Sequence, residues 1–305
     1  MRKLKDSFLT LAHGRAGGFT LVEVVMVIVI TGIIAGIVAV FIKSPIEAYI
    51  SAARRADLTD AADISLRQFA REVRLALPNS LRVGTTGNVA YIEFILTRSG
   101  GRYRDVADGS TAGNNLDFIN TANKTFDVLG TGVANPATGI VANNDYVVVY
   151  NLGPGYSPAD AYTAPGPGGN RAQVGSVATT SITLTSNPFA AATPPLPSPN
   201  SRVHVVPSTI QAVTYSCPTT GMLPPGNLMR YWNYGFNPSI ATPPASNPPV
   251  GSPAIALSNV TCEVDYTANV SQRNGLLYIK LTVTDGTSSG ENVTVFRQIH
   301  VDNSP

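Results

Sequence analysis

Residues 19–42 read FTLVEVVMVIVITGIIAGIVAVFI, and this apolar stretch indicates the structure of the N-terminal part of the chain. Its 24 residues contain a single charge, Glu23. A helix rises about 1.5 Å per residue, so a helix of this length measures about 36 Å and can cross a hydrocarbon core of about 30 Å. The sequence therefore predicts a membrane-spanning helix over 19–42.

The residues on either side of this stretch indicate its orientation. Four basic residues precede it: Arg2, Lys3, Lys5 and Arg15. Positive charge marks the cytoplasmic side, so we expect the rest of the chain to be exported. A secretory signal peptide fits poorly, because its apolar region is shorter and ends in small residues, whereas Lys43-Ser44-Pro45 follows here.

The overall charge argues against electrostatic partners. Only 13% of the 305 residues are charged, against about 25% in a typical globular protein. The segment before Phe19 contributes four of the 21 basic residues and one of the 19 acidic residues, Asp6. The rest of the chain therefore has 17 basic and 18 acidic residues. A chain near neutrality has no general attraction for nucleic acid or anionic lipid.

Two features separate residues 19–42 from an ordinary anchor. Gly17-Gly18 directly precedes the apolar run, where a cytoplasm-facing peptidase could reach it. Glu23 lies early within the run, and a carboxylate at mid-bilayer costs roughly 2.5–3.5 kcal/mol. Cleavage after Gly18 would create a partner for it, the new α-amino group of Phe19.

The string Gly18-Phe19-Thr20-Leu21-Val22-Glu23 resembles the processing motif of type IV pilins and type II secretion pseudopilins. The resemblance implies that a prepilin peptidase cuts after Gly18 and N-methylates Phe19. It also implies that Glu23 pairs with the N-terminal amine of a neighbouring subunit during assembly. Many major pilins have a proline earlier in the helix than Pro45, so a kink should come later here.

The helical pattern continues beyond the membrane stretch. Residues 46–77 lack Gly and Pro, and the predicted apolar stripe comprises Ile50, Ala53, Ala61, Ile64, Phe69, Val73 and Leu77. Asp63 and Arg67 have the spacing of an i,i+4 ion pair, and Pro78-Asn79 should end the helix. The five arginines are interpreted as a solvated face, with DNA contact as the minority alternative: Arg54, Arg55, Arg67, Arg71 and Arg74.

Within residues 79–305, several segments alternate between apolar and polar residues, which is typical of strands. These residues form the β part of a predicted α+β fold. The predicted strands are Val89–Thr97, Tyr146–Leu152, Ser181–Thr185, Val203–Val206, Ile210–Ser216, Asn259–Tyr266, Leu276–Thr284 and Asn292–Val301. Asp285-Gly286 indicates a hairpin between the last two. Long mobile loops are expected at Gly153–Asn170, Asn187–Asn200 and Cys217–Pro253. No repeat or second domain boundary is apparent.

Cys217 and Cys262 are the only cysteines. If this part is exported into an oxidising compartment, we expect them to form a disulfide, with two buried thiols as the alternative.

No residue set predicts catalysis, a metal site or a cofactor. His13 lies in the leader, and neither His204 nor His300 has Cys or Glu at ligand spacing. Asp108–Asn115 has oxygen ligands without EF-hand spacing, which leaves calcium as an open alternative. The nucleophile-elbow, P-loop and zincin motifs are not found in the sequence.

One aromatic cluster lies between the cysteines: Tyr231, Trp232, Tyr234 and Phe236. Core packing beneath a loop is one interpretation. The other is a stacking face for a sugar or a partner subunit, since exposed aromatics dominate such contacts.

A narrower resemblance covers Arg67–Pro78, Gln272–Leu277 and Gln298–Pro305, which are similar to MshO minor pilins of the mannose-sensitive haemagglutinin (MSHA) pilus and to the PilW and pseudopilin J groups. It implies a structural subunit that primes or caps a pilus, starting in the inner membrane with a periplasmic β domain. Its partners would be the prepilin peptidase, other pilins and the inner-membrane assembly platform. The alternatives are a type II secretion pseudopilin and a tip-borne module that binds glycan or DNA.

Overall fold

The structure is a computed structural model that describes residues 18–106, 114–129, 143–163, 166–221, 225–238, 252–271, 274–286 and 290–305. Helix α1 spans Leu21–Arg74, and a short 3-10 helix spans Phe189–Ala191. The strands are β1 Arg82–Thr86, β2 Val89–Ile95, β3 Ser99–Tyr103, β4 Thr125–Leu129, β5 Tyr146–Val148, β6 Arg171–Val177, β7 Ser181–Leu184, β8 Arg202–Val206, β9 Ala212–Pro218, β10 Gly226–Trp232, β11 Ser252–Ser271, β12 Asn274–Thr284 and β13 Asn292–Asp302.

The chain divides into two compact units, Met1–Arg54 and Arg55–Pro305, and α1 runs through the boundary. The helix includes Pro45 and ends at Arg74, a few residues before the predicted end. Pro78-Asn79 follows, with Asn79 in the left-handed backbone region at φ 59°. Such a residue cannot extend a right-handed helix.

In the second unit, the last turns of α1 pack against an antiparallel sheet of order β1-β2-β9-β10-β11-β12-β13. Phe69 is fully buried, and its ring meets that of Tyr215 edge-on at a centroid distance of 4.9 Å. Leu277, Ile279 and Leu281 of β12 contribute to the same core. The predicted α+β fold, a long helix on an antiparallel sheet, is confirmed.

The predicted stripe on α1 was partly wrong. The helical residues that face the core are Ala62, Ser65, Leu66, Phe69, Ala70 and Val73. Ile64, which the prediction placed in the stripe, is 67% exposed. Steps of three and four residues from Phe69 reach Leu66 and Ala62 but skip Ile64, so helical geometry overrides hydrophobicity at that position.

A closed antiparallel barrel of order β3-β4-β7-β6-β5-β8 is inserted between β2 and β9. It has its own core, which includes Tyr103, Phe126 and Val174. A third cluster lies where the chain enters and leaves the barrel and includes Ile95, Val206 and Ala212. The sequence did not indicate this barrel, because five of its six strands have five residues or fewer and β3 and β6 carry glycine.

The loop predictions need correction in two places. The segment Cys217–Pro253 contains β10, which pairs with β9 and β11 in the sheet. Within Gly153–Asn170, Ala161 and Tyr162 are buried, and the Tyr162 hydroxyl donates to the Ser80 carbonyl at 2.8 Å. Tertiary contacts therefore give a defined structure to parts of two segments whose Gly and Pro content had indicated mobile loops. The predicted strands also missed β1, β3, β4 and β6.

Two C-terminal predictions agree with the structure. Strands β12 and β13 pair from Thr284–Asn292 to Asn274–Asp302. Gly286, at φ 68°, lies in the turn between them, where a side chain would be strained. Cys217 of β9 and Cys262 of β11 form a buried disulfide with a Cα–Cα distance of 5.9 Å.

Candidate functional site at the N-terminus

The start of α1 is defined by a side-chain cap. The Glu23 backbone N–H donates to Thr20 Oγ1 at 3.3 Å, and the Val24 N–H donates to the Thr20 carbonyl at 3.1 Å. Thr20 therefore acts as the N-cap and satisfies one of the free N–H groups of the first turn. Sequence reasoning missed this cap, although the Thr-x-x-Glu spacing of Thr20 and Glu23 is a signal for it.

Gly18 and Phe19 lie outside the helix, immediately before this cap. Phe19 is 76% exposed, and a β-carbon added at Gly18 would meet no other atom within 4 Å. The peptide bond between them is thus in non-helical, accessible backbone, which is the form that a peptidase needs.

Glu23 lies in the first turn of α1. A carboxylate there interacts favourably with the positive end of the helix dipole. Among the described residues no side chain forms an ion pair with it. The arrangement leaves this acid free to meet a cation from outside the chain.

The surface around Glu23 is apolar on all sides. The helix contains an 18-residue window of mean hydropathy 3.0, none of it buried within the chain, so α1 is a candidate membrane span. The polar side chain of Thr31 donates to the Val27 carbonyl at 2.6 Å. Such internal pairing is what a lipid environment requires.

The aromatic cluster packs inward. Tyr231 is buried, whereas Trp232, Tyr234 and Phe236 are half-buried. The Tyr234 hydroxyl is 2.6 Å from Thr214 Oγ1, and burial raises the pKa of Tyr234.

Both neighbouring rings also have partners within the fold. Phe236 lies beneath the guanidinium of Arg171, 3.5 Å from its ring centroid, and Trp232 lies beneath that of Arg230 at 4.6 Å. These contacts favour core packing over a stacking face for sugar.

Two arginines in the second half of α1 form ion pairs within the chain. Arg67 pairs with Asp63 at 2.5 Å, which confirms the predicted i,i+4 contact. Arg55 pairs with Glu291. Sequence reasoning missed a third contact, in which Glu72 accepts hydrogen bonds at 2.9 Å from both Tyr215 and Arg230. These pairs favour a solvated, ion-paired face over a DNA-binding surface.

The described residues contain no group of three or more His, Cys, Asp or Glu that could hold a metal ion. His204 lies in β8, where burial, with a contribution from the Arg202 charge, lowers its pKa to about 4. His300 lies on β13. His13, and most of the Asp108–Asn115 segment considered for calcium, fall outside the described residues.

Residues 14–39 match the family described as the prokaryotic N-terminal methylation motif. Neither the curated proteins nor the solved structures include a significant match to the chain. The motif supports a type IV pilin-like protein, and it implies processing by a prepilin peptidase and assembly with other pilins. Together with the apolar helix, it indicates membrane anchoring.

Proposed function

We propose that this chain is a minor type IV pilin of the MSHA type, close to the MshO group, which primes or caps pilus assembly. The observation that carries the proposal is Glu23, a lone carboxylate in the capped first turn of an exposed apolar helix, directly after an accessible Gly18–Phe19 bond. The motif match over 14–39 covers the same residues.

The mechanism follows from the cost of that carboxylate. The leader, residues 1–18, is removed, and Phe19 becomes an N-methylated amino terminus. In the membrane Glu23 is unfavourable without a partner. When the subunit enters the filament, its Glu23 pairs with the Phe19 amine of a neighbour, and the ion pair draws the helices together in register.

The remaining segments have distinct tasks in this proposal. Residues 19–42 cross the inner membrane and later enter the filament core, and residues 43–78 contain the rest of the helix, which ends at Arg74. Residues 79–305 form the periplasmic β domain. The inserted barrel enlarges each subunit. A filament built from many copies would have to accommodate a barrel at every position, so the barrel favours a minor subunit at the end of the filament.

The experiment replaces Glu23 by valine in cells that make the pilus. We expect the variant to be processed and inserted in the membrane, but to be absent from sheared filaments. Immunoblots of the membrane and filament fractions measure incorporation, and the mass of the N-terminal peptide measures processing and methylation. Glu47→Val is the matched control, because Glu47 is an exposed glutamate on the same helix, 3.7 Å from Lys43.

Wild-type incorporation of the Glu23→Val variant would contradict the assembly role. An isolated chain that still begins at Met1 would contradict the proposal as a whole, since the amine partner would then never form.

A type II secretion pseudopilin is the second candidate, because the same N-terminal physics serves both machines. Deleting the gene and measuring pilus number and protein secretion separately distinguishes the two. Loss of secretion with normal piliation would favour the pseudopilin. The inward packing of the aromatic cluster leaves an adhesive role at Tyr231–Phe236 without support.

A further inference from the structure

The barrel carries two hollows that share one lysine, Lys124, in their walls. The first has a volume of about 340 Å³, and the second has a volume of about 300 Å³. Each is in the size range of small-molecule sites. Lys124 directly precedes β4, and its backbone carbonyl accepts a hydrogen bond from Leu184 of β7 at 2.8 Å, which anchors it to the barrel wall.

The two hollows differ in their lining. The first combines an apolar part, formed by Pro167, Pro188 and Ala191, with the polar side chains of Thr121, Ser186 and Asn187. The second is lined mainly by amide and hydroxyl groups, from Asn114, Asn115, Asn123 and Thr125. Amides and hydroxyls can both donate and accept hydrogen bonds, so they match the hydroxyl groups of a polyol.

Lys124 is exposed, and within the described part of the chain its ammonium group has no hydrogen-bond or ion-pair partner. An ammonium group forms its strongest contacts with carboxylate or phosphate oxygens. Lys124 contributes to the walls of both hollows, and the other residues that line them are uncharged. It can therefore bind one acidic group of a ligand whose remaining groups are neutral.

A second, independent observation comes from Asn187, which is 4% exposed. Its Nδ2 donates to the carbonyls of Asp117, Asn120 and Asn123 at 2.8, 3.4 and 2.8 Å. Its Oδ1 is buried and accepts from no donor in the residues described. Buried acceptors are almost always paired, and this unpaired one belongs to a residue that lines the first hollow.

The turn that borders both hollows, residues 117–123, is rigidly held. Asp117 Oδ1 accepts from the N–H groups of Ile119 and Asn120 at 2.7 and 2.8 Å, and its Oδ2 accepts from Asn123 Nδ2 at 2.6 Å. Chiefly because of the bond from the Asn120 N–H, the pKa of Asp117 is lowered. A rigid site loses little entropy when a ligand binds.

We propose that the two hollows bind an acidic oligosaccharide, with a sugar carboxylate on Lys124 and ring hydroxyls on the surrounding amide and hydroxyl side chains. An acidic peptide is the competing ligand. Peptides commonly bind by adding a strand to a free sheet edge, and a closed barrel offers none. This inference goes beyond the proposed role in the pilus and does not depend on processing at Gly18.

The test is calorimetric titration of the full-length chain in detergent. The probes are three acidic saccharides (trigalacturonate, trimannuronate and sialyllactose), the neutral maltotriose, and the acidic peptide hexaglutamate. We expect at least one acidic saccharide to bind at least about tenfold more tightly than both maltotriose and hexaglutamate, because only it supplies a carboxylate and ring hydroxyls together.

Matched variants locate the site. Lys124→Gln should weaken saccharide binding by about tenfold or more, and Lys124→Arg should restore most of it. Lys280→Gln should bind as the wild type does, because Lys280 lies on β12 and pairs with Glu263 at 3.0 Å. Ser186→Trp, a change at an exposed position that fills the first hollow, should also abolish binding while the unfolding temperature stays unchanged.

Three results would overturn the proposal. They are the absence of binding by all three acidic saccharides, equal binding by hexaglutamate, and unchanged saccharide affinity in Lys124→Gln.

Discussion

Gly18 is the residue at which the proposed cleavage needs an unobstructed backbone. A bulky side chain there would occupy the space next to the scissile bond. We expect Gly18→Trp to leave the precursor uncleaved in the membrane, visible as a heavier band on an immunoblot. Gly32→Ala is the matched control: Gly32 also has open space around it, but it lies within α1, and processing should be normal. Normal cleavage of Gly18→Trp would refute the proposed boundary.

His204 makes the folded state sensitive to acid. Its pKa in the folded protein is about 4, below the usual 6.5, because burial and the Arg202 charge disfavour the protonated ring, although Asp302 opposes them. As the pH falls from 6.5 towards 4, the unfolded chain takes up a proton that the folded chain does not. The free energy of unfolding therefore decreases in that window, by roughly 1–3 kcal/mol.

The measurement is denaturant unfolding at several pH values between 7 and 4, followed through the fluorescence of Trp232, the only tryptophan. His204→Gln should lose stability less steeply than the wild type over this window. His300→Gln, at an exposed position on β13, serves as the control and should follow the wild-type slope. Identical slopes for His204→Gln and the wild type would refute the linkage.

At the scale of elements, the contact between α1 and the sheet depends on one buried face of the helix. Phe69 is fully buried against Tyr215, whereas Ile64 points away from the core. Phe69→Ala should lower the free energy of unfolding by about 3–5 kcal/mol, because it removes a ring and leaves a cavity. Ile64→Ala should change it by less than about 0.5 kcal/mol.

Denaturant titration of both variants under the same conditions tests this assignment of faces. Equal destabilisation by the two substitutions would mean that the helix packs in a different rotation about its axis.

At the scale of the whole molecule, the Cys217–Cys262 disulfide closes a long loop, with a sequence separation of 45 residues, and connects the two strands that flank β10. Restricting the unfolded chain over a loop of this length stabilises the fold by about 4 kcal/mol on the chain-entropy estimate. The double variant Cys217→Ala/Cys262→Ala should therefore unfold at lower denaturant concentration. A loss below about 1 kcal/mol would contradict this expectation.

Some parts of the fold could be predicted because they depend on local chemistry. The membrane helix follows from composition and length, and the hairpin of β12 and β13 follows from alternation around Asp285-Gly286. Among the proposed site residues, Gly18, Phe19 and Glu23 are neighbours along the chain, so their grouping needs no tertiary contact.

By itself, the sequence determined an apolar helix with an early carboxylate behind a glycine, a β-rich remainder, and one pair of cysteines. The three-dimensional structure was needed to establish that β10 is a strand, that the aromatic cluster packs inward, that Lys124 lies between two hollows, and that short strands close into a barrel. Those outcomes depend on pairings between residues far apart in the chain. A short strand of mixed polarity acquires its conformation from such partners rather than from its own side chains.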